Sequence, residues 1–357
     1  MRFGVICLNT EILKINADNI DQEKIEFAAR ILRNGGTVAF PTETVYGLGA
    51  NALDEVAVRK IFHAKGRPAD NPLIVHISDM KQLDRLVREI PDNAIKLAER
   101  FWPGPLTLIF KKSEIIPDVI SAGLETVGIR FPSHPIAQEL IHASHVPIAA
   151  PSANVSGKPS PTIAQHVIDD LMGKVDVIID GGSVKVGVES TVLDITGGIP
   201  VLLRPGGVTV EELKSAVGEV MIDPVVLDKV TDHVIPRAPG MKYTHYSPKA
   251  QVIVVEGEDE KVIQKINMLT EQSKKAGLKV GVMAMDHTLH CYHADCILSV
   301  GNKELPSTIA ANLFYTLREF DRAGVDIIYA QSVSEKGIGL AIRNRLNKAA
   351  GYNIIKV

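Results

Sequence analysis

Residues 21–34, DQEKIEFAARILRN, set Ile25, Ala28, Ala29 and Leu32 at helical spacing, and Gly35-Gly36 ends the run. TVAFPT (37–42) predicts a short buried strand running into a Thr/Gly-rich turn through Gly49. A helix is expected over 54–64, a strand over 72–77, and helices over 79–89 and 92–100. Six apolar runs follow as strands, at 106–111, 127–132, 146–151, 175–180, 190–195 and 200–205. So many short strands with fewer helices predict a large mixed sheet with helices packed against it. After a short helix at 209–219, residues 220–249 show no sustained period, and APGMKYTHYSPKA (238–250) reads as an ordered linker. Beyond it, strands QVIVVEG, KVGVMAM, CILSV, DIIYAQS and NIIKV alternate with helical stretches at 258–275, 306–323 and 338–350. That alternation predicts a smaller, open, mostly parallel α/β sheet. The expected division is a first domain over 1–217, a linker over 218–249 and a second domain over 250–357.

A chain of 357 residues exceeds what one core usually fills, in keeping with two domains. Its 39 Lys+Arg against 42 Asp+Glu leave a net charge of −3, and residues 1–200 carry 20 against 24. No basic field therefore points to nucleic acid as the main partner. Cys7, Cys291 and Cys296 make no disulfide framework, the N-terminus lacks a signal-peptide pattern, and no apolar run would span a bilayer. A cytoplasmic protein is expected.

Phosphate-loop, dinucleotide-binding, HExxH and GxSxG patterns are absent, and GGSVKVG (181–187) reads as a turn. His287, His290, Cys291, His293 and Cys296 are ligand types for zinc, but their spacing is cramped for a tetrahedral site. A loop leading into a strand with Cys296 buried is preferred, and no metal site is expected. In Thr42-Glu43-Thr44, alternate hydroxyls of an extended segment face one side; a Thr-rich strand end with a turn is the plainer reading. Pro68 is expected to keep Lys65 and Arg67 extended, with both cations on one face. Such a pair suits a polyphosphate or a carboxylate, or equally complements a helix end. Ser152 and Asn154 again stand two apart after an apolar strand, and Ser160 offers a further hydroxyl or ordinary turn chemistry. Arg130 and Arg204 sit in apolar strands, where each needs a partner or exposure, and together they hint at anion binding.

In order, FPTETVYGLG, KIFHAKGRPADNPL, FWPGPLTL, VGIRFPSHP, APSANVSGKPSPT, ESTVLD and RPG resemble the Sua5/YrdC family of L-threonylcarbamoyladenylate synthases over residues 20–210. The linker and GIGLAIRNRLNKAA are similar to the two-domain Sua5 form. This resemblance implies an α/β protein, with a YrdC-like catalytic domain on a large mixed sheet and a smaller Rossmann-like C-terminal Sua5 domain. The implied activity is that of a nucleotidyltransferase. It joins L-threonine, bicarbonate or CO2, and ATP into threonylcarbamoyl-AMP and pyrophosphate, the first step toward N6-threonylcarbamoyladenosine at tRNA position 37. Magnesium is implied with the ATP, and the implied partners are downstream tRNA threonylcarbamoyl-transfer proteins, with a weak tRNA contact and no membrane. Carried onto this sequence, the pattern puts threonine contacts on Thr44, His76, Arg130 and Ser190. It puts ATP contacts on Lys65, Arg67, Asn71, Thr126, Ser152, Asn154, Ser160 and Arg204, with Lys65 and Arg67 as the catalytic cations. Met241, Tyr243 and Tyr246 become lid residues of a linker folded over the pocket. Two positions depart from the pattern: Ala150 offers only backbone where others have a hydroxyl, and Thr244 replaces a frequent Arg. The competing reading is a non-enzymatic RNA-binding protein using the same basic pocket.

Overall fold

A computed structural model describes residues 8–227, 237, 239 and 246–357. One mixed sheet contains β1 (Glu11–Lys14), β2 (Val38–Phe40), β3 (Gly47–Asn51), β4 (Ile74–His76), β5 (Leu106–Lys111), β6 (Thr126–Arg130), β7 (Ile148–Ala149), β8 (Val177–Asp180), β9 (Thr191–Asp194), β10 (Val201–Arg204) and β11 (Met221–Ile222). Their order across the sheet is β1-β8-β2-β3-β7-β4-β6-β5-β9-β10-β11. The helices of this domain are α1 (Gln22–Arg33), α2 (Glu55–Lys65), α3 (Leu83–Leu86), α4 (Asp92–Phe101), α5 (Asp118–Ser121), α6 (Pro135–Ser144), α7 (Ala164–Leu171), α8 (Val210–Val217) and α9 (Pro224–Leu227).

Both faces of the sheet are covered, which explains why its strands read as continuous apolar runs. In β8, Val177 and Ile179 pack with α1 and α6, while Ile178 between them joins the opposite core with residues of α2, α4 and α7. The Asp21 side chain caps α1 by accepting from Lys24 N, and Ile25, Ala28, Ala29 and Leu32 are its buried stripe, as the spacing predicted.

Four local expectations change. The Thr/Gly-rich turn ends in strand β3, because Gly49 lies under its neighbours: a Cβ there would sit 2.7 Å from Ile148 and 2.8 Å from Phe40. The helix expected at 79–89 breaks into a 3-10 turn, Met80–Gln82, and the single turn α3. Helices α6 and α7 were not anticipated. The stretch expected as linker begins inside the first domain, since β11 pairs in parallel with β10.

The second sheet contains β12 (Gln251–Glu256), β13 (Val280–Ala284), β14 (Cys296–Ser299), β15 (Ile327–Gln331) and β16 (Ile354–Lys356), in the order β14-β13-β15-β12-β16. Every pairing in it is parallel, with α10 (Asp259–Lys275), α11 (Pro306–Ala323) and α12 (Gly339–Ala349) as crossovers. Cys296 opens β14 only half-buried, because β14 is the edge strand, and His287 pairs with Asp259 at 3.1 Å. No described helix is long and apolar enough to cross a membrane.

The two sheets meet along α11 and α12. Val45, Val188 and Tyr246 share one buried cluster with Phe314, Leu317 and Ile342. One close approach is at Gly187, whose φ is +79° and whose N–H donates to the Thr44 carbonyl at 3.0 Å. A Cβ at Gly187 would lie 2.3 Å from the Ala310 carbonyl oxygen, whereas one at Gly182, with φ +81°, would meet nothing within 4 Å. Gly182→Ala should therefore cost only the left-handed strain of about 1–2 kcal/mol. Gly187→Ala should cost a further ~1–3 kcal/mol for overpacking the seam. Equilibrium unfolding of the two variants checks this, and equal losses would contradict the close contact.

Candidate active site

Adjacent strands lay a row of polar side chains across one end of the large sheet. The register sets His76, at the end of β4, beside Arg130, at the end of β6, and Arg130 beside Thr107 of β5. Thr107 Oγ1 lies 2.8 Å from Ser190 Oγ. Arg204, ending β10, donates Nε to the Ser190 carbonyl at 3.0 Å and Nη2 to Ser190 Oγ at 3.1 Å. His76, Arg130, Ser190 and Arg204 line a cleft whose other walls include Thr42, Arg67, Ser152, Asn154, Ser160, Glu189, Pro239 and Tyr246.

A buried cation needs acceptors or a counter-charge: Arg204 has the first in Ser190, and Arg130 has the second. Arg130 Nη2 stands 2.8 Å from Glu43 Oε1, both side chains almost wholly buried. The open choice between partner and exposure is thus settled for Arg130 and Arg204: both are buried. Lys65 differs from expectation. It is the last residue of α2, not extended, because Gly66 terminates the helix in the left-handed region with φ +60°. That geometry turns Lys65 inward, where Nζ donates to the carbonyls of Ser152 at 2.5 Å and Asn154 at 2.6 Å. Burial, then the nearby Arg67 charge, holds its pKa well below the ordinary lysine value. Arg67 Nη2 donates to the carbonyls of Asn71 at 3.0 Å and Pro72 at 3.2 Å. Ser152 Oγ donates to Asn154 Oδ1 at 2.6 Å.

Of the expected site residues, Arg67, His76, Arg130, Ser152, Asn154, Ser160, Ser190, Arg204 and Tyr246 line the cleft together. Lys65, Thr44 and Asn71 lie behind its wall, all buried. Thr44 Oγ1 stands 2.8 Å from Thr42 Oγ1, so Thr42 is the hydroxyl that reaches the cleft. Thr126 opens β6 at the far end of the strand from Arg130, opposite Lys111, and does not line the cleft. Met241 and Tyr243 lie outside the described residues. Tyr246 is buried, stacked on Phe314 with ring centroids 5.1 Å apart. Sequence reasoning missed the two carboxylates, Glu43 and Glu189, although each adjoins an expected site residue; a buried arginine in a strand was the signal that an acid had to lie nearby.

Several buried polar atoms of the site lack a hydrogen-bond partner among the described residues: His76 Nδ1, Arg130 Nε and Nη2, Glu43 Oε1 and both side-chain amide atoms of Asn71. Such atoms are costly to leave unmatched, which marks where a polar ligand would add most.

Residues 30–206 match a family model described as "Telomere recombination" (Sua5_yciO_yrdC), and residues 208–351 match "Threonylcarbamoyl-AMP synthase, C-terminal domain" (Sua5_C). The threonylcarbamoyl-AMP synthase of Pyrococcus abyssi is 56% identical, over 95% of this chain and 98% of its own length. That of Bacillus subtilis is 49% identical over 97% of each. A crystal structure of P. abyssi Sua5 complexed with L-threonine superposes with a TM-score of 0.93, covering 98% of this chain and 100% of that one. The chain belongs to the two-domain Sua5/YrdC family of threonylcarbamoyl-AMP synthases. Within that family's first domain the cleft is the place where the polar row, the cation pair and the Ser152–Asn154 loop meet.

The pKa of His76 falls from 6.5 to about 3, through burial and then the Arg130 charge. Burial, then Arg318 and Arg322, brings His166 to the same value. Both stay neutral in the folded chain while the unfolded chain takes up protons below pH 6.5. Their contribution to stability is present above that pH and is lost as pH falls toward 3, by up to about 1.4 kcal/mol per pH unit for each. Denaturant unfolding between pH 6.5 and 4.5 should show this loss, with a shallower slope in His166→Gln; an unchanged slope would contradict it.

Proposed function

We propose that the cleft carries out the synthesis of threonylcarbamoyl-AMP through two adjoining subsites on this one sheet end. The chain is an enzyme of the transferase type, and L-threonine, bicarbonate or CO2, and ATP are its substrates in this reading. The amine of threonine adds to CO2, or to bicarbonate with loss of water, forming an N–C bond and giving up a proton to leave a carbamate. A carbamate oxygen then attacks the α-phosphorus of ATP, forming the new P–O bond as the bond to pyrophosphate breaks. Such a reaction asks for alignment and charge stabilisation more than for a protein nucleophile.

In the threonine subsite, Arg130 meets the carboxylate while His76, neutral at working pH, and Ser190 meet the remaining polar groups. Thr44 acts from behind the wall through Thr42. The observation that carries the reading is the His76–Arg130–Ser190–Arg204 row, three strand ends and the residue before β9, which line one cleft while Thr107 of β5 links Arg130 to Ser190. The nucleotide subsite consists of Arg67, Ser152, Asn154, Ser160 and Arg204, with Lys65 fixing the Ser152–Asn154 loop and Asn71 supporting Arg67. Thr126, at the other end of β6 from Arg130, is off the cleft lining. Magnesium enters as part of the ATP substrate: Glu189 in the cleft wall and Glu43 behind Arg130 are both taken by arginines, which does not fit a resident metal. The product would pass to tRNA threonylcarbamoyl-transfer proteins, with at most a weak contact to tRNA itself, in the cytoplasm. Cations buried against carbonyls and carboxylates are poorly placed for an RNA backbone, which favours the synthase over the RNA-binding reading.

Pyrophosphate release should require ATP, threonine and bicarbonate together, with threonylcarbamoyl-AMP seen by mass spectrometry; release independent of threonine would refute the reading. Arg67→Ala and Lys65→Ala should each lower kcat/KM for ATP by about 10- to 100-fold, the scale of a charged hydrogen bond at roughly 1.5–3 kcal/mol. Lys65→Ala should also lower the melting temperature, since two carbonyls lose their donor. Full activity in both variants would remove the cations from the nucleotide subsite.

A further inference from the structure

The second domain reaches into the wall of the cleft with two buried arginines. Arg345, on α12, has no exposed surface. Its Nε donates to Glu189 Oε2 at 2.7 Å and its Nη1 to Asn344 Oδ1 at 2.9 Å. Its guanidinium carbon lies 5.6 Å from the centre of the Tyr246 ring. The other oxygen of Glu189 accepts the Ser160 hydroxyl at 2.5 Å. Arg318, on α11, donates to the carbonyl of Pro159, the residue before Ser160, at 2.6 and 3.1 Å, and to Asp170 Oδ2 at 2.8 Å. Ser160 is thus held at its backbone by one arginine of the second domain and at its side chain, through Glu189, by another.

We propose that Arg345 is a positioning residue of the nucleotide subsite, acting through Glu189 to fix which way the Ser160 hydroxyl faces. This rests on the reading of the cleft as an ATP site. A serine hydroxyl has one hydrogen, and a carboxylate can only accept it. Burial alone would raise the Glu189 pKa, but Arg345 and then Arg204 bring it below the ordinary value, so Glu189 remains an acceptor. With its hydrogen given to Glu189, Ser160 turns only lone pairs toward the cleft. A phosphate oxygen, itself an acceptor, gains nothing there. A donor does, so Ser160 selects a nucleoside hydroxyl or amino group. Without Arg345, Glu189 would be a buried carboxylate whose closest counter-charge is gone, and its hold on Ser160 would fail. The second domain therefore completes the nucleotide subsite as well as packing against it.

Steady-state pyrophosphate release tests this, with ATP and threonine varied in turn, below each variant's melting midpoint. The variants are Arg345→Met, Arg345→Lys, Ser160→Ala and the doubles of each Arg345 variant with Ser160→Ala. Arg345→Met should raise KM for ATP at least tenfold and change KM for threonine less than twofold, and Arg345→Lys should raise KM for ATP two- to fivefold. Each double variant should be no worse than its worse single, because both substitutions break the same hydroxyl orientation. Losses that multiply in the doubles, or equal rises in both KM values, would show a merely structural role and overturn the proposal. Should Arg345→Met fail to fold, Arg345→Lys with its double carries the same comparison. A folded wild-type chain without threonine-dependent release overturns the functional reading itself; an active wild type with silent Arg345 variants overturns only the role of Arg345.

Discussion

Placing positive charge inside a sheet is the constraint that the rest of the site answers to. A guanidinium or ammonium removed from water costs several kcal/mol unless its N–H groups meet acceptors. Arg130 has the counter-charge of Glu43, Arg204 has the carbonyl and hydroxyl of Ser190, and Lys65 has the carbonyls of Ser152 and Asn154. Each acceptor belongs to a different segment, so neutralising the cations also fixes the loops that surround them. The polar row and the loops are one construction.

The strand register is what brings that construction to a point. His76, Arg130 and Arg204 each end their own strand, and the mixed order of the sheet sets those ends side by side although they are far apart in the chain. The same burial that makes the row compact keeps His76 neutral, so the imidazole serves as a hydrogen-bonding group beside a permanent positive charge.

The second domain is tied to this centre by charge as well as by apolar packing. Arg318 meets Asp170 and the Pro159 carbonyl, Arg345 meets Glu189, and Phe314 lies under Tyr246. The pKa of Lys348, one turn beyond Arg345, falls to about 7 through burial and then the charges of Arg345 on α12 and Arg204 on β10. Such a seam holds two sheets in one relation, because a slip would leave several buried charges unmatched at once.

Much of the fold was legible in the sequence. Apolar runs bounded by Gly and Pro located β5, β6, β8, β9 and β10, and the helical stripe of α1 emerged residue for residue, because burial of one face or both writes a local period. The resemblance to the Sua5/YrdC family named the cleft residues, since ordered motifs keep side chains that a site needs. What stayed hidden is non-local. Lys65 looked extended beside Pro68, but a left-handed Gly66 let the helix run through it and turn it inward. Gly49 looked like a turn, but Ile148 and Phe40 press on it from distant strands. Thr126 carried a family role in the sequence, but on β6 it lies at the other end from Arg130, off the cleft lining. Glu43, Glu189 and Arg345 stood inside recognised motifs, but nothing local showed their pairing: Glu189 and Arg345, 156 positions apart, meet only once the two domains pack. Local periodicity determined the elements; only the folded chain decided which charges would meet, since pairing depends on distance in space and not along the sequence.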